Sequence, residues 1–149
     1  MLTKLRRYDE ALRAFRTAQA LDAENLEVIV NIGTLYYYKK QYDSARWLFQ
    51  DILRENAREP NSLNALAMIA AEQQQYPEAM QWITRALSAV PDEPYFLNNR
   101  GYIYLLTNQL DSARADIDAS ITADPYNEWA YRNKGIYYLK INQYDDAVR

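Results

Sequence analysis

The chain contains no cysteine and no histidine, and only three of its 149 residues are glycine. Without thiols and imidazoles it has no disulfide, no thiolate nucleophile, no histidine base and neither of the two commonest transition-metal ligands. Positive charge is not in surplus either, because 17 Lys and Arg are opposed by 20 Asp and Glu, a net charge of -3. This balance disfavours nucleic acid as a partner. We therefore predict a chain that is not an enzyme, holds no cofactor or metal and binds no nucleic acid.

Long hydrophobic runs are also missing. The longest comprises the seven residues Ala65 to Ala71, whereas a membrane-spanning helix needs roughly 20. The first ten residues are rich in charge and lack the apolar core of a signal peptide. The sequence thus predicts a soluble chain without membrane insertion; its compartment stays open, with the cytoplasm favoured.

What the chain does contain is an internal repeat of 34 residues. At five places with this constant spacing, Tyr or Leu precedes Ala by three residues: Tyr8/Ala11, Tyr42/Ala45, Tyr76/Ala79, Leu110/Ala113 and Tyr144/Ala147. All glycines occupy one position of the same period, at Gly33, Gly101 and Gly135. The period divides a single array into a partial repeat 1–25, repeats 26–59, 60–93 and 94–127, and a partial repeat 128–149.

Each unit has the pattern of two helices joined by a turn. Apolar residues such as Ile29, Ile32 and Tyr36 follow helical spacing, and Phe49 and Ile52 do so after the polar stretch 39–41. Proline and acidic residues at the unit boundaries, as in 91–94 and 124–125, favour the end of one helix and the start of the next.

These features resemble the tetratricopeptide repeat family over the whole chain. Small residues fill the eighth position of each unit, at Gly33, Ala67, Gly101 and Gly135, and the twentieth, at Ala45, Ala79, Ala113 and Ala147. Small side chains at both places let two helix axes approach closely. The resemblance implies an all-α fold, a right-handed superhelical solenoid of antiparallel helix pairs whose first helices line a concave groove.

Two charges interrupt an otherwise apolar row. The seventh position holds Ile32 and Leu66, but then Arg100 and Lys134. The twenty-third position changes in parallel, to Asp116 in the fourth unit. We predict an ion pair between Arg100 and Asp116, because an unpaired buried guanidinium is costly; the alternative is that Arg100 extends to water. The residue facing Lys134 would be number 150, beyond this sequence.

Other repeated polar and aromatic residues are interpreted as structural. The tyrosines at the eleventh and seventeenth positions fit helix packing and turn closure. Neighbouring acids such as Asp9/Glu10, Asp116/Asp118 and Asp145/Asp146 do not face each other on a helix, so solvated, capping or paired roles are favoured over acid–base catalysis. A carboxylate-only enzyme is the weakest alternative.

Candidate binding residues come from the groove positions that the family resemblance implies. They are unusually apolar and aromatic, which is typical of a partner site. The predicted partner-binding residues are Tyr37, Tyr38, Asn64, Met68, Tyr95, Asn98, Tyr102, Leu105, Leu106, Trp129, Arg132 and Ile136, with Tyr95, Tyr102, Leu106, Trp129 and Arg132 as the contact core. Packing of a further helix over Ile136 and Leu139 is the alternative.

The ligand is expected to be a protein or peptide, either extended or helical, with apolar or aromatic anchors. Members of the family that clamp acidic chaperone tails use Lys and Arg. The two possible frames here place Val30, Thr34, Ala65, Tyr95 and Asn99, or Asn64, Met68, Asn99, Trp129 and Asn133, at those positions, without a cation. The predicted function is a protein–protein interaction scaffold; the alternative is a structural or regulatory segment of a larger multidomain protein with no independent ligand.

The incomplete terminal units lead to one more prediction. The first unit would keep its second helix, Tyr8 to Leu21, and the last its first helix, Glu128 to Asn142. We expect the first to expose Ala11, Phe15 and Ala18, and the last Tyr131, Gly135 and Tyr138. Uncovered repeat faces favour head-to-tail self-association; fraying of residues 1–6 and 144–149 is the alternative.

Overall fold

A computed structural model describes the backbone of residues 2–21 and 25–148 and the side chains of residues 6–18, 20 and 25–143. These residues form eight helices and no strand: α1 (Leu2–Leu21), α2 (Leu26–Tyr38), α3 (Tyr42–Glu55), α4 (Pro60–Glu72), α5 (Tyr76–Ala89), α6 (Pro94–Leu106), α7 (Leu110–Ala123) and α8 (Glu128–Val148). Each helix packs on the next along the chain, and the first helices α2, α4, α6 and α8 also contact one another in order. The predicted all-α repeat solenoid is confirmed. Within the described ranges, every helix is too short or too polar to traverse a lipid bilayer.

A capping side chain begins every first helix. The residue before the helix accepts a hydrogen bond from a backbone N–H two or three residues later, which satisfies donors that the helix itself leaves free. These caps recur with the period of the sequence, at Asn25, Glu59, Glu93 and Asn127. Pro60 and Pro94 follow two of them at the first helical position, where a missing N–H costs nothing. The starts of the first helices therefore recur with the same 34-residue period as the sequence.

The turn inside each complete unit uses a left-handed residue that is not glycine. Lys40, Gln74 and Asn108 have φ values of 61°, 61° and 58°. At the first turn the N–H of Gln41 donates to the Tyr36 carbonyl at 2.8 Å and that of Lys40 to Tyr37 at 2.9 Å, the Schellman pattern that satisfies the last carbonyls of α2. A left-handed non-glycine residue costs of order 1 kcal/mol. The packing of the two helices against each other has to offset this cost.

Both terminal units depart from the sequence prediction. Asn142 is the equivalent of Lys40, yet α8 continues through it to Val148 as one helix. Residue 6 is likewise inside the continuous helix α1. The predicted breaks near these positions are wrong. In α8 the backbone stays helical through the position that forms the left-handed turn in the complete units.

Small residues bring the paired helices together. A Cβ added at Gly33 would lie 2.6 Å from Cζ of Phe49, and one at Gly101 would lie 2.9 Å from Cγ1 of Ile117. Ala67 is completely buried at the same position. Gly135 differs, because an added Cβ would meet nothing within 4 Å. The tight contact therefore exists only where a second helix is present.

The uncovered face predicted for α8 is confirmed, whereas that of α1 is not. Tyr131 and Tyr138 are 51% and 54% exposed beside the open Gly135. Ala11, Phe15 and Ala18 are only partly exposed, since α1 packs along α2. The side chains of Tyr144 and Ala147, and residues Met1 and Arg149, lie outside the described residues.

The predicted Arg100–Asp116 ion pair is confirmed. Nε and Nη2 of Arg100 donate to the two carboxylate oxygens of Asp116, at 2.6 and 2.8 Å, and Asp116 is 7% exposed. The hydrogen bond that Arg100 donates to Asp116 raises the pKa of Arg100 above its usual range. Lys134 does have a partner, which is Asp118 of α7 in the preceding unit. Asp116 and Asp118, which are two residues apart on α7, are thus each paired with a cation.

Candidate functional site

A groove of about 690 Å³ lies along the first helices α2, α4 and α6 and reaches the start of α8. Its floor is apolar, and its rim carries exposed aromatic side chains. The lining residues are Val30, Thr34, Tyr37, Tyr38, Phe49, Pro60, Asn61, Asn64, Ala65, Met68, Val90, Glu93, Tyr95, Phe96, Asn98, Asn99 and Trp129. Among these described residues, Glu93 alone is charged.

Seven of the predicted binding residues line this groove: Tyr37, Tyr38, Asn64, Met68, Tyr95, Asn98 and Trp129. Tyr95 and Trp129 project at its rim, 50% and 56% exposed. Tyr38, 54% exposed, lies at the opposite end and stacks on Tyr8 of α1 with ring centroids 5.9 Å apart. The structure therefore brings residues of four different helices to one surface.

The other predicted residues lie elsewhere. Leu105 is completely buried and packs with Ala113, Ile117 and Tyr137, so the expectation that it faces the groove is wrong. The same repeat position in α2 holds Tyr37, which does line the groove, so the burial of Leu105 comes from the side chains of α7 and α8 that pack around it. Leu106 is half-buried against the core of α4, α5 and α6. Tyr102, Arg132 and Ile136 do not line the groove either.

Several lining residues were not singled out from the sequence as binding residues. Val90 and Glu93 come from the connection between α5 and α6, which was interpreted only as a helix boundary. Asn99 was among the repeated polar residues interpreted as structural. Its position in the sequence next to Asn98, a predicted binding residue, could have indicated that it also lines the groove.

Asparagine pairs link consecutive first helices along the groove. Nδ2 of Asn99 donates to Oδ1 of Asn64 at 2.8 Å, and Nδ2 of Asn133 donates to Oδ1 of Asn98 at the same distance. Asn98 is 2% exposed, and its carbonyl oxygen is occupied by this bond. Asn98 therefore joins α6 to α8 while it also lines the groove.

The tyrosine cluster comprises Tyr37, Tyr42 and Tyr102, and the Glu72 carboxylate acts electrostatically on each of them. Tyr37 lies edge-on to Tyr38 at a centroid distance of 5.4 Å and is tilted against Tyr42 at 5.9 Å. Burial, and secondarily the Glu72 carboxylate, raise the pKa of Tyr37 well above its ordinary range. The same two causes, in the same order, raise the pKa of Tyr42 and Tyr102. The hydroxyls of the cluster are therefore neutral at physiological pH.

Sequence and structure comparisons agree on the family. The tetratricopeptide repeat profile matches residues 30–94 and 83–128. No curated protein sequence matches the chain significantly.

Solved structures share the fold at low sequence identity. A thermophilic tetratricopeptide repeat protein of Thermus thermophilus has a TM-score of 0.84 and 19% identity, with 98% of this chain and 80% of that one covered. The first repeat domain of Spaghetti bound to an HSP90 peptide, SRMEEVD, has a TM-score of 0.71 and 16% identity, covering 81% and 96%. YrrB, described as having an unusual peptide-binding site, has a TM-score of 0.64 and 21% identity, covering 95% and 73%.

The family profile spans most of the chain, and the described helices have the repeat geometry that it requires. This fold generally serves in protein interaction and not in catalysis. The chain belongs to the tetratricopeptide repeat family.

Proposed function

We propose that the chain is an interaction scaffold whose groove binds an extended peptide segment through apolar and aromatic anchors. The observation that carries this proposal is the exposed pair Tyr95 and Trp129, which line the groove together with Val90, itself 37% exposed. The packing of the repeats does not use these side chains, and exposed aromatic residues beside a pocket are typical of binding hot spots.

The asparagine pair in the middle of the groove supports an extended ligand over a helical one. The bond between Asn64 and Asn99 uses one donor and one acceptor, leaving Nδ2 of Asn64 and Oδ1 of Asn99 without a partner among the described residues. A free donor next to a free acceptor matches the N–H and C=O groups of an extended backbone. A helical ligand has already satisfied those groups within itself.

The charge of the groove argues against acidic peptide tails. The described lining contains no Lys or Arg, and Glu93 would repel a carboxylate. The neighbour named above is bound to a peptide ending in Glu, Glu, Val and Asp. The clamp positions implied by the family resemblance are occupied here by residues without positive charge, which are Val30, Thr34, Ala65, Tyr95 and Asn99 in one frame and Asn64, Met68, Asn99, Trp129 and Asn133 in the other. We expect the preferred ligand of this chain to be neutral or basic.

Removing the two rim aromatics tests the proposal. The variant Tyr95→Ala/Trp129→Ala should bind peptides selected on the wild-type chain at least about thirtyfold more weakly, because a hot-spot side chain contributes ~2 kcal/mol. Affinities would be measured by fluorescence anisotropy with labelled peptides taken from an array of extended sequences that contain aromatic anchors.

The matched control is Trp47→Ala/Tyr126→Ala. It also removes one Trp and one Tyr, 59% and 91% exposed, but neither residue lines the groove. It should bind like wild type. Equal affinity of the rim variant and this control would contradict the groove proposal.

We also propose that the open face of α8 self-associates. Tyr131 and Tyr138 flank Gly135 on the side that α3 and α7 cover in the complete units. Sedimentation velocity over a range of concentrations should show a reversible dimer or larger species, because this face is apolar and unpartnered among the described residues.

The variant Tyr131→Ser/Tyr138→Ser should shift the chain to the monomer. Its control is Tyr126→Ser, which removes a highly exposed tyrosine from the connection between α7 and α8. A wild-type chain that sediments as a monomer at high micromolar concentration would overturn the self-association proposal and leave the groove proposal standing.

A further inference from the structure

The groove runs obliquely across the first helices. Its lining lies within residues 30–38 on α2, 60–68 on α4 and 95–99 on α6 and, among the described side chains of α8, at Trp129. The last lining residue is at repeat position 13 on α2, 9 on α4, 6 on α6 and 2 on α8. A ligand that fills the groove therefore crosses the helices on a diagonal, from the C-terminal end of α2 to the N-terminal end of α8.

The packing of α6 explains why the groove is oblique. Leu105 packs with residues of α7 and α8, and Leu106 packs against the core of α4, α5 and α6. Tyr37 and Tyr38, at the same two repeat positions of α2, line the groove instead. The groove is thus open along the C-terminal half of α2, whereas on α6 it is open only near the start of the helix.

An exposed aromatic side chain stands at each end of this diagonal. Tyr38 at the α2 end is stacked on Tyr8, with 12° between the ring planes. At the α8 end the guanidinium of Arg132 lies over the ring of Trp129, and Tyr95 lines the groove at the same repeat position of α6. Tyr38 and Trp129 are each more than half exposed although a neighbouring side chain holds the ring. Such a ring loses little conformational freedom on binding, which favours it as an anchor point.

The distance between the two ends follows from helix geometry. Eleven repeat positions separate Tyr38 from Tyr95 or Trp129 along the helix direction, which is about 16 Å. The diagonal also crosses two or three neighbouring helices at about 8–10 Å each, so its length is about 23–34 Å. An extended chain covers this length in about seven to ten residues. An α-helix needs about fifteen to twenty-three.

We propose that the ligand is an extended segment with two aromatic or large apolar side chains about seven to ten residues apart, one bound at Tyr38 and the other at Tyr95 and Trp129. The inference rests on the proposed function and adds a second anchor to it. Tyr38 is then a specificity-determining residue, because it selects peptides by the spacing of their anchors.

The middle of the groove suits the segment between the anchors. Asn64 and Asn99 lie between the two ends, on α4 and α6, and their remaining donor and acceptor fit an extended backbone. The described lining includes no Lys or Arg that would select an acidic side chain. The intervening residues are therefore recognised mainly through their backbone, and the spacing of the anchors determines the affinity.

The test is a spacing series of labelled peptides. Each peptide carries two Trp separated by alternating Ser and Thr, at spacings from about two to about twenty residues. Fluorescence anisotropy with the wild-type chain should give the highest affinity at a spacing of about seven to ten residues. A spacing of about three should bind at least about tenfold more weakly, close to a peptide with a single Trp, because a linker that cannot span both sites engages only one of them.

Variants of Tyr38 locate the second anchor. Tyr38→Ala should bind every spacing about as weakly as the single-Trp peptide, since one end of the diagonal is lost, whereas Tyr38→Phe keeps the ring and should retain the optimum. The matched control is Tyr126→Ala, which removes another exposed tyrosine, outside the groove, and should bind like wild type. Tyr38 is the exposed last residue of α2, and thermal unfolding by circular dichroism verifies that its variants are folded.

The outcomes separate this inference from the groove proposal. If Tyr95→Ala/Trp129→Ala weakens binding but the affinity of wild type does not depend on spacing, or if Tyr38→Ala behaves like Tyr126→Ala, the second anchor is wrong and the groove stands. An optimum at about fifteen to twenty-three residues would indicate a helical ligand and overturn the extended geometry. An optimum below about five would assign both anchors to one end and overturn the diagonal. If wild type binds neither this series nor the peptides of the array, both proposals fail.

Discussion

Asp116→Ala should lower the free energy of unfolding by about 3 kcal/mol, the scale for removing one partner of a buried ion pair. The variant leaves the guanidinium of Arg100, whose side chain is only 27% exposed, without either of its two carboxylate hydrogen bonds. For a chain of this length the loss corresponds to a decrease in Tm of about 6–12 °C. Urea unfolding followed by circular dichroism measures it.

Two further variants separate charge from shape. Asp118→Ala removes the partner of Lys134, but the Asp118 side chain is 44% exposed, so its loss should cost less than about 1 kcal/mol. The double variant Arg100→Ile/Asp116→Leu copies the apolar pair Ile32 and Leu48 of the second unit and should recover most of the stability. A double variant as unstable as Asp116→Ala would show that the ion pair is not interchangeable with an apolar contact here.

Gly33→Ala and Gly135→Ala should change stability in opposite directions, although both replace glycine at the same repeat position. At Gly33 the new Cβ would lie 2.6 Å from Cζ of the Phe49 ring, which is completely buried and would have to shift. Overpacking costs about 1–3 kcal/mol and exceeds the ~1 kcal/mol that alanine contributes to helix stability. The net expectation for Gly33→Ala is a loss of up to about 2 kcal/mol.

At Gly135 only the higher helix propensity of alanine affects the stability, because the added Cβ has no neighbour within 4 Å. Gly135→Ala should therefore stabilise the chain by up to about 1 kcal/mol. Thermal unfolding of both variants beside wild type decides the point. The comparison is made at a concentration where the chain sediments as a monomer, and a destabilised Gly135→Ala under that condition would contradict the prediction.

Much of the architecture could be predicted from the sequence because its signals are local and periodic. The 34-residue spacing of small residues and the caps at Asn25, Glu59, Glu93 and Asn127 determine where first helices begin. The exchange of apolar for charged residues at Arg100 and Asp116 was sufficient to predict their contact. These relations lie within one unit, where the spacing along the helices fixes which side chains meet.

Properties that depend on neighbouring units could not be predicted in the same way. Lys134 pairs with Asp118 of the preceding unit, and Leu105 is buried although a groove position was expected. Asn98 joins α6 to α8, and Glu72 interacts with tyrosines of three other helices. A period along the sequence does not specify how far each unit rotates relative to the next.

The sequence by itself determined the repeat, the helix starts and the composition of the groove in this protein. Only the tertiary structure decided where the helices end. Lys40, Gln74 and Asn108 adopt the strained left-handed turn, whereas Asn142, at the same repeat position, remains helical. The local preference for this turn is small, and the packing of a second helix against the first has to offset its cost. Where no second helix packs against the first within the described residues, the same position continues the helix.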